Sequence, residues 1–152
     1  MALTSPDLIR TPDDGDQYAL VQDLGAMADS IQTALSKRPL NLVRLWQGTA
    51  IMAGSTTLNL TGGTVTGQPN GIVLCWSAHD GTSAQNNDWN YTYIPKSHVQ
   101  YHSGNGVNCQ LAWGTSGTPR KYVYVTNTTV SGNDRNTTGG NQVLCLREIF
   151  GY

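Results

Sequence analysis

Between residues 14 and 38 the apolar positions of the chain return with a helical rhythm. Leu20, Leu24, Met27, Ile31 and Ala34 follow at spacings of four, three, four and three, the a/d seam of a short coiled coil. Val21, Ala28 and Leu35 recur at intervals of seven on a flank of that seam. The widened stripe suits three or more helices, or docking on a larger surface, better than a two-stranded coil. Asp13, Asp14 and Asp16 supply capping oxygens and negative charge at the N-terminal end, while Lys37 and Arg38 face the carbonyl end and Pro39 stops propagation. Such a helix is about 30 Å long. Isolated helices of this length are marginal in water, and Gly25 in the middle weakens this one further. It needs a partner, either its own β-domain or other copies of itself.

Ahead of the helix, Pro6 and Pro12 keep residues 1–13 extended. Beyond it the rhythm changes. Residues 40–152 alternate short apolar runs (LVRLWQ, TAIMA, TTLNL, GIVLCWSA, WNYTYI, HVQYH, VNCQLAW, KYVYVT, QVLCLREIF) with turn clusters such as Pro69-Asn70-Gly71, Asp80-Gly81 and Gly104-Asn105-Gly106. About eight strands at this spacing predict an antiparallel β-sandwich of jelly-roll type, so the chain is mainly β with one helix. The stretch NTTVSGNDRNTTGG, residues 127–140, reads as a long mobile loop.

Composition sharpens the division. Only 12% of the residues are charged, about half the usual share, so the polar surface falls to Thr, Ser, Asn and Gln. Residues 1–36 carry six acids and one base, a balance of −5; residues 37–152 carry eight bases and four acids, a balance of +4. A boundary near Ser36–Pro39 follows. Eight bases spread over the second part form no nucleic-acid stripe, and low mean hydropathy argues against a membrane span. No basic-then-apolar leader precedes Ser5, so the expectation is a protein made and assembled in a cytosol.

Candidate chemistry is sparse. Cys75, Cys109 and Cys145 lie in separate strand-like runs with no metal-ligand spacing and are expected to be buried and reduced. The N-x-[ST] triplets at Asn59, Asn90, Asn127 and Asn136 are chance matches in an Asn/Thr-rich chain. His98 and His102 share one face of a strand in this reading, about 13 Å apart and too far for one metal in a single chain. His79, beside Asp80-Gly81, is a turn residue. No nucleophile elbow, P-loop, H-E-x-x-H or Gly-rich βα fingerprint is present, and the few carboxylates have no glycosidase spacing. No catalytic residue, metal or cofactor is expected. In RKYVYVT, Val123 and Val125 are the inward positions, leaving Tyr122 and Tyr124 outward or in an interface. In DWNYTYIP, Trp89, Tyr91 and Tyr93 share one face. They either fill the core, meet another subunit, or form with Asp88 and Asn90 an aromatic platform suited to the apolar faces and hydroxyls of a sugar.

The run TPDDGDQYALVQDLGAMADSIQTAL resembles the cap-plus-helix module near the start of virion surface proteins of tailed bacteriophages, particularly fibre-like and minor structural proteins. There a Pro/Asp-rich lead-in precedes a short trimerising helix and a small β-rich head. The resemblance covers about 30 residues. It implies a homotrimer on a phage particle, joined through Leu20, Val21, Leu24, Met27, Ala28, Ile31 and Leu35, with the arm Ala2–Thr11 contacting other virion proteins. The expected function is a non-enzymatic virion appendage whose head binds a host-surface glycan. The alternatives are a capsid-decorating head fibre without a host ligand and a stand-alone carbohydrate-binding module.

Overall fold

The computed structural model describes residues 2–4, 9–11, 20–36, 42–114 and 117–152, with side chains described for 24–35 and from 42 onward. The chain divides into two units, Met1–Leu40 and Asn41–Tyr152. In the first, β1 (Ala2–Thr4) and β2 (Ile9–Thr11) pair antiparallel, Ala2 opposite Thr11. The described segments of the expected arm are therefore extended, and they pair with each other as a two-stranded ribbon. Helix α1 (Leu20–Ser36) follows and lies beside β2. Leu24, Ala28, Ile31 and Leu35 are exposed on it, while Met27 and Ala34 are half-buried. Leu20 and Val21 are helical in backbone, but their side chains lie outside the described residues, as do Pro6, Pro12, the capping Asp13, Asp14 and Asp16, and Lys37–Pro39.

The second unit holds two four-stranded antiparallel sheets. One is ordered β3 (Val43–Ala50), β10 (Leu144–Gly151), β5 (Gly71–Ala78), β6 (Asn90–Pro95). The other is ordered β4 (Thr57–Asn59), β9 (Thr129–Ser131), β8 (Arg120–Val125), β7 (Gly106–Gln110). Their facing sides share one core: Leu45, Ile72, Leu74, Trp76, Ile94, Leu144, Leu146 and Ile149 from the first sheet, Cys109, Val123, Val125 and Val130 from the second. This is the mainly β, sandwich-type architecture that the alternation predicts. Val123 and Val125 are fully buried, and Tyr122 and Tyr124 stand half-buried on the other side with their rings edge to face.

Two segments depart from the sequence reading. HVQYH lies in a short helix, α2 (Lys96–His102), rather than a strand. Pro95 has no N–H to continue the ladder and sits at the N-cap, and Gly104, with φ of 78°, turns the chain out at the far end. Val99 is the one buried side chain of α2, so its alternating pattern was never the signature of a two-faced strand. His98 and His102 are therefore one turn apart, with ring centroids 6.0 Å from each other.

Residues 127–140 form no long loose loop. They contain β9 and a 3-10 turn at Asp134–Thr137. Strand β9 pairs with β8 only at Tyr124 and Val125. One step further along β8, the carboxamide of the fully buried Asn136 takes the place of a strand: Oδ1 accepts from Tyr122 N (2.7 Å) and Nδ2 donates to Tyr122 O (2.8 Å) and Met52 O (2.7 Å). Met52 itself is fully buried in the left-handed region, φ 64°, a conformation a side chain adopts only when its surroundings fix it. Gly132 packs so closely on the Met52 carbonyl that a Cβ there would strike it.

Candidate functional site

The outer face of the β3-β10-β5-β6 sheet carries a groove whose origin lies in side-chain size. The pairing places Tyr91, Cys75 and Glu148 in one row across the sheet, and Tyr93, Val73 and Phe150 in the next. In each row a small side chain on the middle strand stands between two large ones. The middle therefore sinks and the flanks rise. Trp89 and Leu42 complete the lining, and the groove holds about 340 Å³, at the lower end of the roughly 300–1,000 Å³ of small-molecule sites.

Trp89 is 38% exposed, Tyr91 58% and Tyr93 64%. The core-filling reading of this triplet is overturned, because β6 turns Ile94 inward and places Thr92 beside the indole N–H of Trp76 (3.1 Å). Tyr93 is braced edge to face by Tyr152, ring centroids 5.3 Å apart. Trp89 lies under the guanidinium of Arg147 at 5.7 Å, a cation–π contact. Arg147 is itself tied to Ser77 Oγ, Gln85 O and Asn86 Oδ1, so it holds both the indole and the loop that carries it.

The polar half of the expected platform is arranged otherwise. Asn90 is not directed at the groove: its side chain donates to the carbonyls of Asp88 and Ala112 and accepts from Ala112 N. Asp88 stands at φ 52°, its carboxylate beside Asn87, and does not line the groove. The groove's polar groups come from elsewhere. Glu148 stands in it with one carboxylate oxygen 3.1 Å from Arg44 Nη2, and the Arg44 guanidinium also covers the Phe150 ring at 5.4 Å. Neither residue was picked out by sequence reasoning, although alternation along LREIF offered a signal. A register shift between Leu146 and Glu148 breaks that alternation and puts Arg147 and Glu148 both outside the core.

Cys75 on the floor is inert. Burial and then the nearby Glu148 push its thiol up to about 11, so the nucleophilic thiolate is scarce at neutral pH. All three cysteines are buried and free. His79 and Asp80 build a turn: His79 Nδ1 accepts from Gly81 N, and the Asp80 carboxylate accepts from Thr82 N, Ser83 N and the Gln85 amide. Those backbone N–H groups hold the Asp80 carboxyl below its usual range.

What the groove can do follows from its surfaces. Aromatic walls take the C–H face of a ring, while a carboxylate that accepts and a guanidinium that donates take hydroxyls at the same end. No protein-family model and no curated protein matches this chain. Among the described residues, no helix is long and apolar enough to cross a membrane.

Proposed function

We propose that the chain is a non-enzymatic structural protein of a bacteriophage virion, a homotrimeric surface appendage whose β-sandwich head binds a host-surface glycan through the Trp89–Tyr91–Tyr93 groove. The observation that carries this reading is the placement of three aromatic side chains in the open on an outer sheet face, around a floor kept low by Val73 and Cys75. The phage setting rests on the resemblance of residues 11–35. The trimer rests on the helix: Leu24, Ile31 and Leu35 stay exposed in the single chain, and three such stripes brought together would remove them from water. Three heads on one particle then bind by avidity, so weak single sites suffice.

Light scattering after size exclusion is expected to give about 49 kDa, three times the 16.4 kDa of one chain. Leu24→Asp with Ile31→Asp should return the single-chain mass; a wild-type protein that already runs as one chain removes the trimer. On an array of bacterial surface polysaccharides, Tyr91→Ala is expected to lower head binding at least tenfold while changing stability by less than about 0.5 kcal/mol, since the side chain is exposed. A trimer that binds no glycan and co-purifies with empty, tailless heads would support capsid decoration instead.

A further inference from the structure

We propose that His98 and His102 form a two-imidazole site for a divalent transition-metal ion of the zinc and nickel class, in a cleft that shares Tyr93 with the glycan groove. The strand reading set these residues too far apart to share an ion. The α2 helix removes that obstacle, because side chains four apart on a helix stand on one face, one above the other. With metal–nitrogen bonds of about 2.0–2.1 Å, two imidazoles on one tetrahedral ion have ring centres about 5 Å apart. The observed separation is 6.0 Å, with the rings tilted by 47°, about 1 Å wider than that.

A second observation points the same way. His98 Nε2 is shut off from solvent and has no hydrogen-bond partner, whereas buried polar atoms of folded proteins nearly always have one. Both rings line a cleft of about 290 Å³ that also holds Ser97 and Tyr101, room for an ion and its waters. The donor set decides the class of metal. Imidazole nitrogen suits zinc, nickel and copper, whereas magnesium and calcium require oxygen ligands. Among the described residues no group of three or more His, Cys, Asp and Glu side chains gathers around an ion position. The remaining coordination positions are accordingly left to water or to a donor on another molecule.

The test is isothermal titration of the full, tag-free chain, kept reduced, with Zn2+ and Ni2+, and with Mg2+ as contrast. The expected result is one Zn2+ or Ni2+ per chain and no Mg2+. The chain has three histidines, which supplies the controls: His98→Ala and His102→Ala each weaken binding at least tenfold, and His79→Ala leaves it unchanged. Gln100→His combined with His102→Ala keeps three imidazoles but sets one about 200° round the helix from His98, and it does not restore binding. His102 is exposed, so its variant keeps the test valid even where His98→Ala disturbs the fold. Absence of Zn2+ and Ni2+ binding by the wild type, or binding that His102→Ala leaves intact, overturns the site.

Discussion

Replacing Asn136 with alanine is expected to lower the unfolding free energy of the head by about 3–5 kcal/mol, read from the midpoint and slope of a urea titration. The size follows from what the side chain replaces. Tyr122 N and Tyr122 O take their hydrogen bonds from one fully buried carboxamide, which also donates to Met52 O, a carbonyl that accepts from Asn133 N as well. Truncation orphans the two Tyr122 groups, each at about 1–3 kcal/mol, and takes from Met52 O one of its two donors. Asn136→Asp should be nearly as damaging: a carboxylate can still accept from Tyr122 N, but it offers nothing to the two carbonyls and adds a buried charge. A loss of less than about 1 kcal/mol for Asn136→Ala would mean that the 3-10 turn does not substitute for a strand beside β8.

The second large effect is in alkali, where two kinds of buried group oppose each other. Lys121 is fully buried, and its ammonium donates to the carbonyls of Ile51 (3.0 Å) and Asn136 (3.2 Å). Burial lowers its pKa from 10.5 to about 8. The folded state therefore binds fewer protons than the unfolded state between these values, and stability rises with pH through that window, by about 3 kcal/mol in all. Burial of Cys109 acts in reverse. Its thiol moves from 9.0 to about 11, the folded state keeps a proton that the unfolded state releases, and about 3 kcal/mol is lost between those values. Cys75 and Cys145 are shifted upward too, so they deepen the loss. Stability measured under reducing conditions should climb from pH 8, peak near pH 9 and then fall. Lys121→Met isolates the lysine: the wild type should gain about 3 kcal/mol on the variant between pH 8 and 10.5, and parallel profiles would refute the assignment.

Much of this architecture was legible in the sequence, because period-two patterning reports which side of a strand meets the core. It gave the two-layer β head, the inward Val123 and Val125, and the common direction of Trp89, Tyr91 and Tyr93. It was silent where a contact depends on register between distant strands. Glu148 faces the same row as Tyr91 only because β5 lies between β10 and β6, and no local pattern states that order. The α2 segment misled because five residues with alternating polarity fit a strand as well as a helix, and only Pro95 hinted at the change. Residues 127–140 misled for another reason. Their Asn and Thr side chains look solvent-bound by composition, yet Asn133 and Asn136 spend their amides on Tyr124 and on the Met52 and Tyr122 backbone.

Strand β10 joins β3 to β5, bringing Gly151 opposite Val43. The sheet consequently stays open until segments on the order of a hundred residues apart have met, and searches of that span are slow. Helix α1 needs no such search, since helices form within about a microsecond. During synthesis it emerges long before the strand that closes the head. The order of the elements along the chain therefore separates a fast local step at the helix from a slow non-local one at the sheet.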